Sequence, residues 1–162
     1  MVRQINSLIN VDHEDAILRV FILFVQTAQA VLKYTDAYLY RKMRFSTTKL
    51  VVMRILASNS KAMMPSEIAK WTQTERHNIT TLIKRISKEG LIKIERNTND
   101  KRALNVVLTD KGREFLSQVM PVAKEIIDKV MLSISEDDAL LLEKLLGVLR
   151  RNAHRSLESL AE

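Results

Sequence analysis

No cysteine occurs in this 162-residue sequence. Disulfides, a thiolate metal site and a thiol redox switch are therefore excluded, and a reducing compartment fits. Glycine and proline are scarce, at three and two residues. That scarcity argues against a loop-rich β fold and for long helices. Long apolar runs are missing too. The longest, Val20 to Val25, stops at Gln26, and six residues fall short of the roughly 20 that a membrane-spanning helix needs. The first fifteen residues carry Asp12, Glu14 and Asp15 and no apolar stretch, so no signal peptide is expected. The expectation is a cytoplasmic protein without membrane contact.

Catalytic and metal-binding ingredients are also thin. His13, His77 and His154 are the only histidines, and none has a second ligand at metal-binding spacing. There is no glycine-rich phosphate loop, nucleophile elbow or paired-carboxylate arrangement. Asp137 and Asp138 suit the start of a helix, where its positive end favours anions. Seven methionines at helical positions suit a core or an adaptable lining. The sequence therefore predicts no enzyme, no metal and no cofactor.

What is present is a foldable chain, 46% hydrophobic and 28% charged, of a length that suits one domain with helical extensions. Its net charge is +7, which admits an anionic partner. The charge is unevenly placed. From Arg76 to Arg102 there are eight cations and three anions, net +5, whereas Ser135 to Glu162 is net −2. A charge run alone is most often a solvated face, so the decision rests on its pattern.

Apolar residues recur at helical spacing from about Glu14 to Arg41, among them Ile17, Val20, Phe21, Phe24, Val31 and Leu39. This is one helix about 40 Å long at 1.5 Å per residue, longer than one small globule needs. After a break at Arg41 to Phe45, Ser46 can cap a helix over Thr47 to Ser58. Pro65 suits a first helical position, and a short helix reaches Trp71. Thr74 is a candidate cap for the next helix, which ends at Gly90, a natural residue beyond a helix C-terminus. Ile92 and Ile94 alternate with Lys93 and Glu95, as in a strand. A loop over 97–102 and a second run, Leu104 to Leu108, complete a hairpin. Thr109 then caps a long helix containing Pro121, which should bend it. Ser135 with Asp138 caps the last helix, striped with Leu141, Leu142, Leu145, Leu146 and Leu149.

A short helix, a polar turn and a second helix form a helix-turn-helix. On the second helix Ile79, Leu82, Ile83 and Ile86 share one face. The opposite side carries His77, Thr80, Thr81, Lys84 and Lys88, with Arg85 at its margin and Arg76 at its start. It holds no carboxylate before Glu89, although solvated helices usually mix signs to gain Glu–Lys pairs. Hydroxyls and cations suit base edges and phosphates in a major groove. The hairpin then forms a wing. Its tip offers Arg102 to a narrow minor groove, Lys101 to phosphate, and Asp100 to hold the Arg102 fork. The plainer reading of that tip is a solvated turn with a local ion pair. A rival for the whole chain is a winged-helix protein-interaction module without DNA-binding activity, with a mixed-charge or apolar outer face.

The residues now carry a family resemblance. Gly90, the tip Asp100-Lys101-Arg102, and Leu108-Thr109-Asp110-Lys111-Gly112 resemble the wing of the MarR family of bacterial transcription regulators. "PSEIAKWTQTERHNITTLIKRISKEG" resembles that family's helix-turn-helix. Departures exist. Arg96 and Thr98 stand where proline is common, and Thr81 stands where arginine is common. Thr72 and Thr74 replace leucines whose packing Trp71 is expected to take over. The resemblance implies a homodimer on a pseudo-palindromic double-stranded operator, usually repressing, and often released by a small aromatic effector. The effector crevice would draw on the first, second and fifth helices, with Tyr34, Tyr38 and Met53 as candidate lining.

The expected fold is thus mainly α with a small β-hairpin wing: a winged helix-turn-helix core with long N- and C-terminal dimerisation helices. Residues 46–108 form the expected DNA-binding region. Residues 1–45 and 109–162 form the expected dimerisation region, since long terminal helices with no domain between them suit a symmetry mate.

Overall fold

The computed structural model describes residues 15–59, 61–72, 74–96 and 103–160. The chain forms two compact units, one ending at Ile126 and one beginning at Ile127. In order, the elements are α1 (Ala16–Met43), α2 (Thr47–Ser58), α3 (Pro65–Thr72), α4 (Arg76–Lys88), β1 (Ile92–Arg96), β2 (Leu104–Leu108), α5 (Asp110–Val130) and α6 (Glu136–Ser159).

The first unit is built around a helix-turn-helix and a hairpin. The Asp15 carboxylate caps α1 by accepting from the Ile17 and Leu18 amides. The helix runs past the expected break at Arg41 and ends at Met43, because Arg44 takes the left-handed conformation with φ 52°. Ser46 caps α2 through the Lys49 amide. Pro65 opens α3, and Glu67 reaches back to accept from the Met64 amide at 2.6 Å. β1 and β2 pair antiparallel in the register Ile92 to Leu108 through Arg96 to Leu104. A third edge is a single residue long: Met63 bridges Val106, with both N–H···O bonds made.

Leu39, Met53, Ile68, Ile79, Ile83, Ile86, Ile92, Val106 and Val119 are fully buried in one cluster. Each such side chain contributes about 1.5–3 kcal/mol by leaving water. One expectation changes here. Trp71 does not pack under the turn: 69% of its surface is exposed. Instead the Thr72 hydroxyl folds back on the Ile68 carbonyl at 2.9 Å, so a threonine fits at that site without needing the indole. Pro121 lies within α5, which continues from Asp110 to Val130.

The N-terminal half of α1 leaves Ile17, Val20, Phe21, Leu23 and Phe24 exposed. Over an 18-residue window α1 reaches a mean hydropathy of 1.5, with none of the window buried. By length and composition alone it could therefore cross a membrane, although Arg19 and Gln26 break its apolar sequence into shorter runs. In the second unit, Ser135 caps α6 by accepting from the Asp138 amide at 3.1 Å. No α6 residue is buried, and Leu141, Leu142, Leu145, Leu146 and Leu149 are all exposed.

Candidate nucleic-acid interface

α4 has two faces. Ile79, Ile83 and Ile86 anchor it in the core. Arg76, His77, Thr81, Lys84, Arg85 and Lys88 are exposed. Thr80 is half-buried, and its hydroxyl donates to the Arg76 carbonyl at 2.8 Å. Its proton is thus committed to the helix, so Thr80 can offer a partner only a lone pair and a methyl group. Asn78 is exposed beside these residues and is absent from the sequence-derived set. Its amide pairs a donor with an acceptor, as an adenine edge requires. Its position two residues into the helix was the available signal.

The start of α4 differs from expectation. Glu75, not Thr74, occupies the N-cap position, and it makes no side-chain cap bond. Thr74 is taken by the preceding helix: its amide donates to Ala69 O at 3.1 Å and its hydroxyl to Thr72 O at 3.2 Å. Among the described residues the first amides of α4 are not capped by a side chain, and they lie at the positive end of the helix.

The far end of α4 is held by several elements. Gly90 adopts φ 75°. Its amide donates to Ser87 O at 2.9 Å and the Leu91 amide to Ile86 O at 3.3 Å, a Schellman ending. Lys111 donates to the Glu89 carbonyl at 2.8 Å, and Lys49 from α2 pairs with the Glu89 carboxylate. Thr109 ties the hairpin base together. Its hydroxyl accepts from the Gly112 amide at 3.0 Å and lies 2.8 Å from Gly90 O and 3.0 Å from Leu91 O as acceptors. Gly112 is required by closeness: a Cβ there would sit 2.0 Å from the Leu91 carbonyl oxygen. The Leu-Thr-Asp-Lys-Gly stretch is thus the joint between α4, the hairpin and α5.

Along the hairpin, Ile92, Val106 and Leu108 face the core while Lys93, Glu95 and Arg96 are exposed. Lys93 and Glu95 pair at 2.6 Å. Asp100, Lys101 and Arg102 lie outside the described residues.

The three effector candidates separate. Tyr34 and Tyr38 are half-buried neighbours on α1, with ring centroids 5.7 Å apart. The Tyr38 hydroxyl donates to Glu125 of α5 at 2.6 Å, and Lys42 lies 3.7 Å from the same carboxylate. Met53 is wholly buried in the core and in this conformation offers no surface to a ligand. Among the described residues no group of three or more His, Asp or Glu side chains is placed to hold a metal.

Comparison with known proteins gives this arrangement a family. Residues 37–119, just over half of the chain, match the family described as transcriptional regulator SarA/Rot. The chain is 27% identical over 97 residues to the HTH-type transcriptional repressor YetL of Bacillus subtilis, covering 60% of this chain and 58% of YetL. It is 27% identical over 120 residues to the HTH-type transcriptional regulator SarZ of Staphylococcus haemolyticus, covering 73% of this chain and 77% of SarZ. Against YetL, then, it spans little more than half the relative's length. Among solved structures, Sco3205 of Streptomyces coelicolor, a MarR family transcriptional regulator in complex with DNA, superposes with a TM-score of 0.77 at 19% identity, covering 82% of this chain and 84% of that one. The helix-turn-helix and both hairpin strands lie within the matched stretch, and the chain belongs to the SarA/Rot family of transcriptional regulators, with the winged-helix fold of MarR regulators.

Proposed function

We propose that this chain is a sequence-specific, double-stranded-DNA-binding transcription regulator, a ligand-responsive repressor acting as a homodimer on a pseudo-palindromic operator. The observation that carries the reading is the outer face of α4. From Arg76 to Lys88 it presents cations, hydroxyls and one amide and no carboxylate, over a buried isoleucine face. A protein-interaction module would present a mixed-charge or apolar face there. In the proposed complex α4 enters a major groove. Arg102, oriented by Asp100, enters the flanking minor groove, and Lys101 meets phosphate.

The homodimer draws support from the exposed apolar residues of α1 and, separately, of α6, which a second copy would cover. On this reading residues 1–45 and 109–162 form the dimerisation region, and α1 meets a second copy, not a bilayer. For the effector, Tyr34 and Tyr38 offer two rings and a carboxylate-bound hydroxyl to a small aromatic molecule.

The test is selection of bound sites from a random DNA pool, followed by band-shift titration of the selected site across salt. The expected result is two inverted half-sites about one helical turn apart. Affinity should fall with salt by a log–log slope of about −0.9 per phosphate neutralised. No enrichment, or a flat salt titration, overturns the proposal.

A further inference from the structure

Trp71 is the single tryptophan of the chain and stands largely in solvent at the C-terminal end of α3. Exposed indole is rare surface, because an aromatic ring carries a large apolar area that water disfavours. Beside it lies a groove of about 460 Å³. Glu67, Lys70 and Trp71 of α3 form one side, and Asn59, Lys61 and Met63 from the segment leading into α3 form the other. None of its lining residues belongs to α4 or to the hairpin strands. The described lining thus shares no residue with the face assigned to DNA.

Its floor is firm, since Met63 is buried and bonded both ways to Val106. Its one anion is engaged: the Glu67 carboxylate accepts from the Met64 amide at 2.6 Å. The Asn59 amide nitrogen donates to Ile55 O at 2.8 Å. Lys61 and Lys70 are exposed and form no ion pair among the described residues. The groove therefore combines an apolar wall with two cations and one carboxylate, a net positive lining in which neither lysine is held in an ion pair among the described residues.

We infer that this groove docks an acidic segment of a partner protein, with an apolar side chain against the Trp71 indole and carboxylates on Lys61 and Lys70. Charge complementarity selects the acidic segment, and the indole supplies the kind of anchor that dominates small interfaces. The inference uses no residue given to DNA recognition, so it stands or falls separately from that reading.

Because Trp71 is the only tryptophan, its emission reports on the groove directly. The full chain is titrated with an array of soluble 12-residue peptides. Each has a central Leu or Phe flanked by Asp and Glu, and a matched array carries Lys and Arg flanks. Acidic peptides should shift Trp71 emission to the blue and saturate, and basic ones should not. Anisotropy of a labelled acidic peptide should show a loss of about tenfold or more in Trp71→Ala. Lys61→Glu with Lys70→Glu should lose as much and carries the test should Trp71→Ala fail to fold. Operator affinity should be unchanged in all these variants. An equal response to both arrays, or binding retained in the variants, overturns the inference. So does quenching of Trp71 by DNA together with weaker DNA binding by the double charge variant, which would make the groove a nucleic-acid contact.

Discussion

The ammonium of Lys49, in the first turn of α2, pairs with the carboxylate of Glu89 at the end of α4. Lys111, from α5, holds the carbonyl of the same Glu89 at 2.8 Å. Two lysines from two helices thus converge on one residue and fasten α4 where it turns into the hairpin. The Lys49 ammonium also lies 5.3 Å from the centre of the Phe45 ring, which packs edge-on against Phe115 at 4.8 Å. Glu89 is about two-fifths exposed in its side chain, so solvent screens the pair. Lys49→Ala should therefore cost no more than about 1 kcal/mol. Urea unfolding measures this, and a loss of several kcal/mol would contradict the screened pair.

Gly112→Ala should be far more damaging. The added methyl would meet the Leu91 carbonyl oxygen at 2.0 Å and Leu108 Cδ1 at 2.9 Å. The first obstacle is backbone, so the hairpin base must move. Overpacking of this kind costs about 1–3 kcal/mol or more. An unchanged unfolding midpoint would show that α5 can shift away freely.

Thr109→Ala removes the hydroxyl that caps the Gly112 amide and reaches the carbonyls at Gly90 and Leu91. Loss of a cap costs about 0.5–2 kcal/mol. Thr109→Ser keeps the hydroxyl and should recover most of the stability. Equal losses in both variants would point to the methyl group instead.

On DNA, two variants should differ in kind. Lys84→Ala, if it removes a phosphate contact, should weaken all sequences alike and flatten the salt slope by about 0.9. Asn78→Ala, if it removes a base contact, should relax preference at one position by about 1–3 kcal/mol, with the slope kept. Arg102→Ala should weaken operator binding strongly with folding intact. Unchanged affinity for Arg102→Ala in a band shift would remove the wing from the interface.

Sedimentation tests the terminal helices. The wild-type chain should run as a dimer at micromolar concentration. Phe21→Asp and Leu145→Glu place charge on exposed apolar positions of α1 and α6 and should each favour the monomer. A wild-type monomer would leave those apolar surfaces without the assigned occupant.

Much of this was legible in the sequence because it rests on local rules. Ser46, Thr109 and Ser135 cap helices through bonds to residues three positions on. Ile79, Ile83 and Ile86 mark a buried stripe by their spacing alone. Thr74 misled because a threonine at a helix junction can serve either neighbour. Here the unsatisfied carbonyls of α3 took it. Thr80 looked like a free hydroxyl, but its bond to Arg76 O is decided by its rotamer, which composition does not show.

The sequence by itself determined the order of the helices, the place of the hairpin and the one-signed outer face of α4. Each follows from periodicity and from neighbours a few positions apart. Tertiary structure decided what depends on segments far apart in the chain. Met63 became a strand edge because Val106 lay beside it. Gly112 became indispensable because the Leu91 carbonyl approaches it. Met53 was drawn fully inside while Trp71 was left in water. Burial is settled by what packs against a residue, and no local pattern specifies that.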